Sequence, residues 1–224
     1  MKIYKNIIQG SEEWLELRHG KIGGSTAGKL MTKLDKSVRE CASYYSILGD
    51  RMEDFDPFKS EFKSFDMIRG NDLEPIARQE YERIYGVEVE QIGWIEIEGT
   101  NTGISVDGYI PSKNKAIEIK CPSAATHANY IINTSEIITD YVWQIVHYFA
   151  VIDGLESVDC ISYRPENKLS PLMVVTVTKE TTVKISAKIA LSVAELIEIS
   201  TKRIEELENE IKKDIESLTE KTEF

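Results

Sequence analysis

Residues 105–122 read SVDGYIPSKNKAIEIKCP, two alternating runs separated by a stretch of turn composition. Side chains along a strand alternate between its faces, so Glu118 and Lys120 share one face of the second run while Ile117 and Ile119 take the other. If the runs pair through PSKN, Asp107 comes beside Glu118. Two carboxylates and a lysine at close quarters are costly in a core, because each buried charge needs a partner, but they form an oxygen-rich site for Mg²⁺. Such a site suits hydrolysis of a phosphodiester: the metal polarises a phosphate oxygen and lowers the pKa of bound water, while the lysine orients that water or offsets developing charge. Glu74 is a further acidic candidate, as a direct ligand or through water. Against this, a D-x10-E-x-K spacing is by itself a weak pattern, since surface ion pairs around hairpins are common and worth little. Its weight comes from the apolar run AIEIKCP in which Glu118 and Lys120 stand.

Outward from this stretch, VEVEQIGWIEIEG (87–99) also alternates, and three neighbouring strands are the simplest reading. Toward the N-terminus, SEEWLELRHGKIGGSTAGKLM (11–31) predicts a helix capped by Ser11 with Trp14, Leu15 and Leu17 as its apolar side, a turn at Gly20, Gly23 and Gly24, and a second helix. DRMEDFDPFKS (50–60) reads as polar and irregular. Gly70 then opens a helical pattern in which Leu73, Ile76, Ala77, Tyr81 and Ile84 recur, closed by Gly86 as a C-cap. Downstream come a long helix over ITDYVWQIVHYFAVIDG (138–154), strands at VDCISYRP (158–165) and PLMVVTVTK (171–179), and a C-terminal helix from about Thr181 to Thr219. The expectation is an α/β fold of the α+β kind, a central mixed or antiparallel sheet flanked by helices. It is one domain over 1–180, with 181–224 as its helical extension. Ile197, Ile204, Ile211 and Leu218 are seven apart, with Leu207 between, which would suit a coiled-coil seam. Polar residues at several intervening positions favour instead an amphipathic helix lying on its own domain.

Composition narrows the function. The chain has 224 residues, 42% hydrophobic and 29% charged, the profile of one soluble globular domain. No apolar run approaches the roughly 18 residues of a membrane helix, and the N-terminal residues lack a signal-peptide pattern, so a cytoplasmic protein without membrane contact is expected. Cys41, Cys121 and Cys160 are odd in number and dispersed, which excludes a disulfide framework or a four-cysteine zinc or iron–sulfur site within one chain. With a charge balance of 27 − 38 = −11, a general affinity of the whole surface for nucleic acid is not expected. Any DNA site must be locally basic, and part of the acidic excess lies in EELENEIKKDIESLTEKTEF (205–224). His19, His127 and His147 lack metal-ligand spacing and read as structural. Trp14, Trp94 and Trp143 read as core anchors, and Cys121 as filling the sheet interior.

Five segments in order carry a resemblance: W-x3-R-x-G-x-I-x2-S over Trp14–Ser25, G-x3-E-P-x-A-R-x2-Y over Gly70–Tyr81, SVDGYI, IEIKCPS, and Y-x2-Q-I-x2-Y over Tyr141–Tyr148. Together they resemble the YqaJ-type viral recombinases, which include the lambda-type alkaline exonucleases of the PD-(D/E)xK nuclease superfamily. The resemblance implies a PD-(D/E)xK core and a Mg²⁺-dependent 5′-to-3′ exonuclease acting on double-stranded DNA ends in phage-type recombination, with Mn²⁺ as a substitute. It also implies a ring-shaped homotrimer working beside a single-strand annealing recombinase. On this resemblance Asp107 and Glu118 match the metal-binding carboxylates and the carbonyl of Ile119 completes the metal shell. Lys120 matches the catalytic lysine and Glu74 the upstream acidic residue. Arg18, Ser25, Ser105 and Gln144 match positions that hold the terminal phosphate or the scissile strand. Chemistry agrees at Arg18, whose forked guanidinium suits phosphate, and at Ser25, in a donor-rich turn opening a helix. An ordinary N-cap is the alternative for Ser25, and a core hydrogen bond for Gln144. The loop Ser37–Phe65 matches no motif. An endonuclease of the same superfamily, a non-catalytic DNA-end-binding or assembly module, and an interaction protein with an acidic tail are the competing readings.

Overall fold

The computed structural model describes residues 1–58, 64–186 and 188–222. In chain order it holds β1 (Lys2–Tyr4), α1 (Glu12–Arg18), α2 (Gly24–Leu30), α3 (Tyr44–Met52), α4 (Phe65–Tyr85), β2 (Glu90–Glu96), β3 (Gly103–Ile110) and β4 (Lys115–Lys120). There follow α5 (Ala124–Ile132), α6 (Ser135–Val151), β5 (Ser157–Tyr163), β6 (Leu172–Val177), β7 (Thr182–Lys184), β8 (Ala190–Ser192) and α7 (Val193–Thr222). Strands β1 to β6 lie in sequence order in one sheet. Every junction is antiparallel except β4–β5, which is parallel. A parallel junction needs a long crossover, and α5 and α6 supply it. The expected mixed sheet flanked by helices, with a long C-terminal helix, is therefore what the chain forms. Among the described residues no helix is long and apolar enough to cross a membrane.

The three-strand reading around 87–122 holds, with Gly108 opposite Ile117, Tyr109 opposite Ala116 and Ile110 opposite Lys115. Alternation sorts β4 as expected: Ile117 and Ile119 pack with Ala77 and Tyr81 of α4, while Glu118 turns to the other face, toward Tyr148 of α6. Ser11 caps α1, its Oγ accepting the Trp14 N–H at 3.3 Å. Gly86 ends α4 in the left-handed conformation at φ 61°, which glycine adopts without steric cost.

Several boundaries differ from the sequence reading. Helix α4 begins at Phe65 rather than after Gly70, because Ser64 caps it by accepting the Met67 N–H at 3.2 Å. Its buried stripe is Ala77, Arg78 and Tyr81, while Ile76 and Ile84 remain about half exposed, at 48% and 49%. The stretch read as irregular contains the end of α3, whose Tyr44, Ile47 and Leu48 are buried. Residues 59 and 60, the end of that stretch, lie outside the described residues. The C-terminal helix starts at Val193, not near Thr181, since Thr182–Lys184 and Ala190–Ser192 pair as a hairpin. A reciprocal cap sets the start: Ser192 Oγ accepts the Glu195 N–H at 3.2 Å and Glu195 Oε2 accepts the Ser192 N–H at 2.8 Å.

Helix α7 lies against the N-terminal helical layer of its own chain, as the amphipathic reading expects. Ile204, Leu207 and Ile211 are buried with Ile22, Leu30, Tyr44 and Ile47 of the N-terminal helical layer, whereas Leu218 is 40% exposed. Charge pins the same contact. Arg51 grips Glu208 with two hydrogen bonds at 2.6 and 2.7 Å, and Arg39 grips Asp214 with two at 2.7 Å. Such forked pairs fix orientation as well as adding energy.

Candidate active site

The site grows from the point where β3 and β4 part. Ladder pairing ends at Gly108–Ile117, and the Asp107 carboxylate, one residue further, accepts the Ile119 N–H at 2.6 Å. The N–H and C=O of one strand residue point to the same edge, so the Ile119 carbonyl also faces the gap beside Asp107. Glu118 is only 1% exposed. Its Oε2 accepts the Tyr148 hydroxyl, and its Oε1 forms an ion pair with Lys120 Nζ. Lys120 Nζ in turn lies 4.6 Å from the centre of the Tyr141 ring. Glu74 approaches from α4, where Arg78 donates to it at 2.5 Å and, through Nε, to the Asp107 carbonyl at 2.8 Å. Arg78 thus ties the helix carrying Glu74 to the strand carrying Asp107.

These groups perturb one another. Burial, then the neighbouring Glu118 and Glu74, hold the Asp107 carboxyl well above its usual range against the pull of Lys120 and the Ile119 amide. Burial also raises Glu74, opposed by Arg78 and reinforced by Glu118. For Lys120, burial works against the charge, but Glu118 and Asp107 outweigh it and the ammonium is held more firmly protonated. Burial, with Glu118 and Asp107, pushes the Tyr148 phenol up, so it stays a donor.

Among the described residues no three His, Cys, Asp or Glu side chains converge as a ready ligand set. The acids are instead turned onto Lys120, Tyr148, Arg78 and the Ile119 amide. The donor chemistry nevertheless fits a hard divalent cation. All the donors are oxygens, and burial and mutual repulsion disfavour their charge, two penalties that a bound cation relieves.

The four residues matched to phosphate contacts fall into two groups. Arg18 stacks on Trp14 at 3.8 Å and reaches within 5.6 Å of the Trp94 ring. Ser105 accepts from Trp14 Nε1 and donates to the Gly93 carbonyl, both at 2.9 Å. Trp14 is partly buried rather than a core anchor, and it joins Arg18 to Ser105. Ser25 and Gln144 instead line an open groove of about 360 Å³ together with Tyr141. The groups meet at the start of α2, where a Cβ on Gly23 would lie 3.5 Å from Arg18 Nη2. At Gly24 a Cβ would come within 2.6 Å of Ile104 Cδ1 and 3.1 Å of Gln144 Cγ, so the absence of a side chain there lets α2 seat against α6.

Sequence reasoning gave Arg78, Tyr141 and Tyr148 no separate role, although a phenol inside the apolar run of α6 is a polar group that needs a buried partner. The histidines are structural as expected. His127 is bonded to Ser162 and to the Ser170 carbonyl, His147 to the Gly103 carbonyl, and His19 to the Glu53 carbonyl. Cys121 is partly buried beside the Ile119 cluster, and burial lifts its thiol to about 11.

The family model of the YqaJ-like viral recombinase domain matches residues 13–154. The chain belongs to this family. The match runs from α1 past the end of α6, so it contains Arg18, Ser25, Glu74, Ser105, Asp107, Glu118, Lys120 and Gln144, while β5, β6, the β7–β8 hairpin and α7 follow it. Two crystal structures of LHK-Exo, an alkaline exonuclease from Laribacter hongkongensis, one of them in complex with dAMP, are 26% identical to the chain. Each covers 95% of this chain and 98% of its own, with a TM-score of 0.72. A phage related exonuclease from Haemophilus somnus 129PT, 15% identical, covers 88% and 96% with a TM-score of 0.62 and shares the fold. No curated protein matches the chain in sequence.

Proposed function

We propose that this YqaJ-like domain is a Mg²⁺-dependent exonuclease that degrades one strand of linear duplex DNA from its 5′ end during phage-type recombination. One arrangement carries the reading: the Asp107 carboxylate accepts the Ile119 N–H between Glu118 and Lys120, which pair with each other, while Arg78 ties Glu74 to the Asp107 carbonyl. The exonuclease structures that resemble the chain along nearly its whole length support it.

Asp107, Glu118 and the Ile119 carbonyl would hold the metal, with Glu74 adding negative charge directly or through water. Bound there, Mg²⁺ supplies Lewis acidity toward a phosphate oxygen and a water of lowered pKa. Lys120, kept protonated by its carboxylate neighbours, orients that water or offsets charge on the phosphate. Arg18, Ser25, Ser105 and Gln144 hold the terminal phosphate and the scissile strand. The −11 net charge then calls for a basic path confined to the site, as the channel of a homotrimeric ring would provide. A single-strand annealing recombinase as partner and the cytoplasm as the place of action complete the proposal, in which 1–180 forms the nuclease domain and the following residues extend it.

Incubation with 5′-phosphorylated linear duplex and with covalently closed circular DNA, in Mg²⁺ or EDTA, tests this. Loss of the linear DNA alone, abolished by EDTA and by Lys120→Ala, is the expected result. Cutting of closed circles would replace the exonuclease with an endonuclease, and absence of metal-dependent cleavage by folded protein would leave a DNA-end-binding module.

A further inference from the structure

Lys120 has two seats in this structure. One is the Glu118 carboxylate, and the other is the face of Tyr141, 4.6 Å from the ammonium to the ring centre. The two differ in what else they are asked to do. Glu118 is a candidate metal ligand, and a carboxylate that turns to a cation holds an ammonium less firmly. The Tyr141 ring is no metal ligand, and it is seated by packing on the core beneath it. Aromatic faces attract ammonium groups through their quadrupole, and more strongly where water is excluded; the Lys120 side chain is only 24% exposed.

The backbone agrees with a dedicated position. Helix α6 is broken at one residue, Tyr141, whose φ and ψ are −117° and 15°. Beside the break, Asp140 is tied to α5 by accepting the Tyr130 hydroxyl at 2.6 Å. The part of α6 that carries the ring is thus fixed from outside the site, while Tyr148, two turns along, reaches Glu118. Tyr141 also lines the groove shared by Ser25 and Gln144, so it stands between the strand-holding residues and the lysine.

We propose that Tyr141 is a positioning residue for Lys120, its ring face keeping the ammonium at the reacting phosphate when Glu118 is engaged elsewhere. The inference rests on the reading of Lys120 as the lysine of the cleavage site. It concerns the ring face and not the hydroxyl, so Tyr141→Phe keeps the function and Tyr141→Leu loses it. Pentafluorophenylalanine at position 141, with the same shape and an inverted quadrupole, loses it too. That substitution preserves packing should the leucine variant fold poorly.

The test has two readouts on the full chain. In NMR spectra with labelled lysine, the Lys120 ε-methylene resonance is shifted upfield by the ring in the wild type and in Tyr141→Phe, with and without Mg²⁺. It moves to the ordinary lysine position in Tyr141→Leu. In kinetics, the leucine and pentafluorophenylalanine proteins lose about tenfold in kcat, the scale of one desolvated ammonium–ring contact, with KM for DNA ends within about twofold and Tm unchanged. Phenylalanine restores kcat. A Lys120 resonance indifferent to the leucine substitution, a pentafluoro variant as active as Phe, or a Phe variant as slow as Leu would each overturn the proposal. Wild-type protein that cleaves no DNA would overturn the nuclease reading instead, and the resonance would still decide whether the ring holds the lysine.

Discussion

Asp107 on β3 accepts the backbone N–H of Ile119 on β4 at 2.6 Å, where a ladder carbonyl would otherwise do so. One carboxylate thus closes the sheet and faces the site, where burial and two like neighbours work against its charge. Asn keeps an acceptor for the Ile119 N–H and removes the charge. Asp107→Asn is expected to lose metal-dependent cleavage by at least about a thousandfold while raising the Tm of metal-free protein by a few degrees, about 1 kcal/mol for a chain of this size. A carboxyl whose folded pKa is raised stabilises the protonated fold, so wild-type stability falls as pH rises from about 3.9 toward the folded value. Thermal melts of both proteins across that range check it.

Because the acids repel one another, a divalent cation should act as a folding ligand. At a hundredfold excess over Kd, Mg²⁺ is expected to stabilise the wild type by about 2.7 kcal/mol, about 5–10 °C in Tm. EDTA returns the Tm to its starting value, and Asp107→Asn shows little response. Differential scanning calorimetry with and without the ion is the measurement.

Tyr148 donates to a carboxylate from a fully buried position. Tyr148→Phe leaves Glu118 Oε2 without that donor, at a cost of about 1–3 kcal/mol. Urea denaturation should show the loss as a lower midpoint at unchanged slope.

His147 is fully buried, and burial lowers its pKa to about 4 against the opposing pull of the Gly103 and Ile22 backbone. The unfolded chain, with an ordinary value near 6.5, therefore takes up the proton first. Stability is complete above about pH 6.5 and falls as pH drops toward 4, by about 3 kcal/mol for this group. His147→Gln is expected to flatten that part of the profile, as read by denaturation at fixed pH steps.

At Gly24 a methyl group would enter the space of Ile104 Cδ1, inside a packed core. Gly24→Ala is expected to cost about 1–3 kcal/mol by overpacking. Ile104→Val, which removes that carbon, should recover part of the loss in the double variant. Chemical denaturation of the three proteins completes the cycle.

Much of this molecule was legible in its sequence because period and punctuation agreed. Alternation through 105–122 placed Glu118 and Lys120 opposite Ile117 and Ile119, and the PSKN turn brought Asp107 to them. Gly86 and Ser11 capped the helices expected of them. Misreadings arose where a local signal competed with a longer-range one. Gly70 reads as a helix start, yet Ser64 satisfies the free amide at Met67, so the helix begins earlier and carries glycine inside it. The S-x-x-E pattern at Ser192–Glu195 marks the true start of α7, but the β-branched residues before it were absorbed into the helix. The partners of the site were least visible, since Tyr148, Tyr141 and Arg78 acquire their roles only when α4 and α6 close on the sheet. Helical periodicity marks them merely as inward-facing.

Helix α7 ties the last part of the chain to the first. Tyr44 donates to Asp214 at 2.8 Å across 170 positions, and Arg39 reaches the same carboxylate across 175. The layer bearing Arg18 and Ser25 therefore gains its outer wall only once α7 has been made. Without α7, Ile22, Leu30 and Tyr44 lack the cover of Ile204, Leu207 and Ile211. Contacts this distant in sequence slow folding, so the seating of α7 on the N-terminal layer is expected to come late.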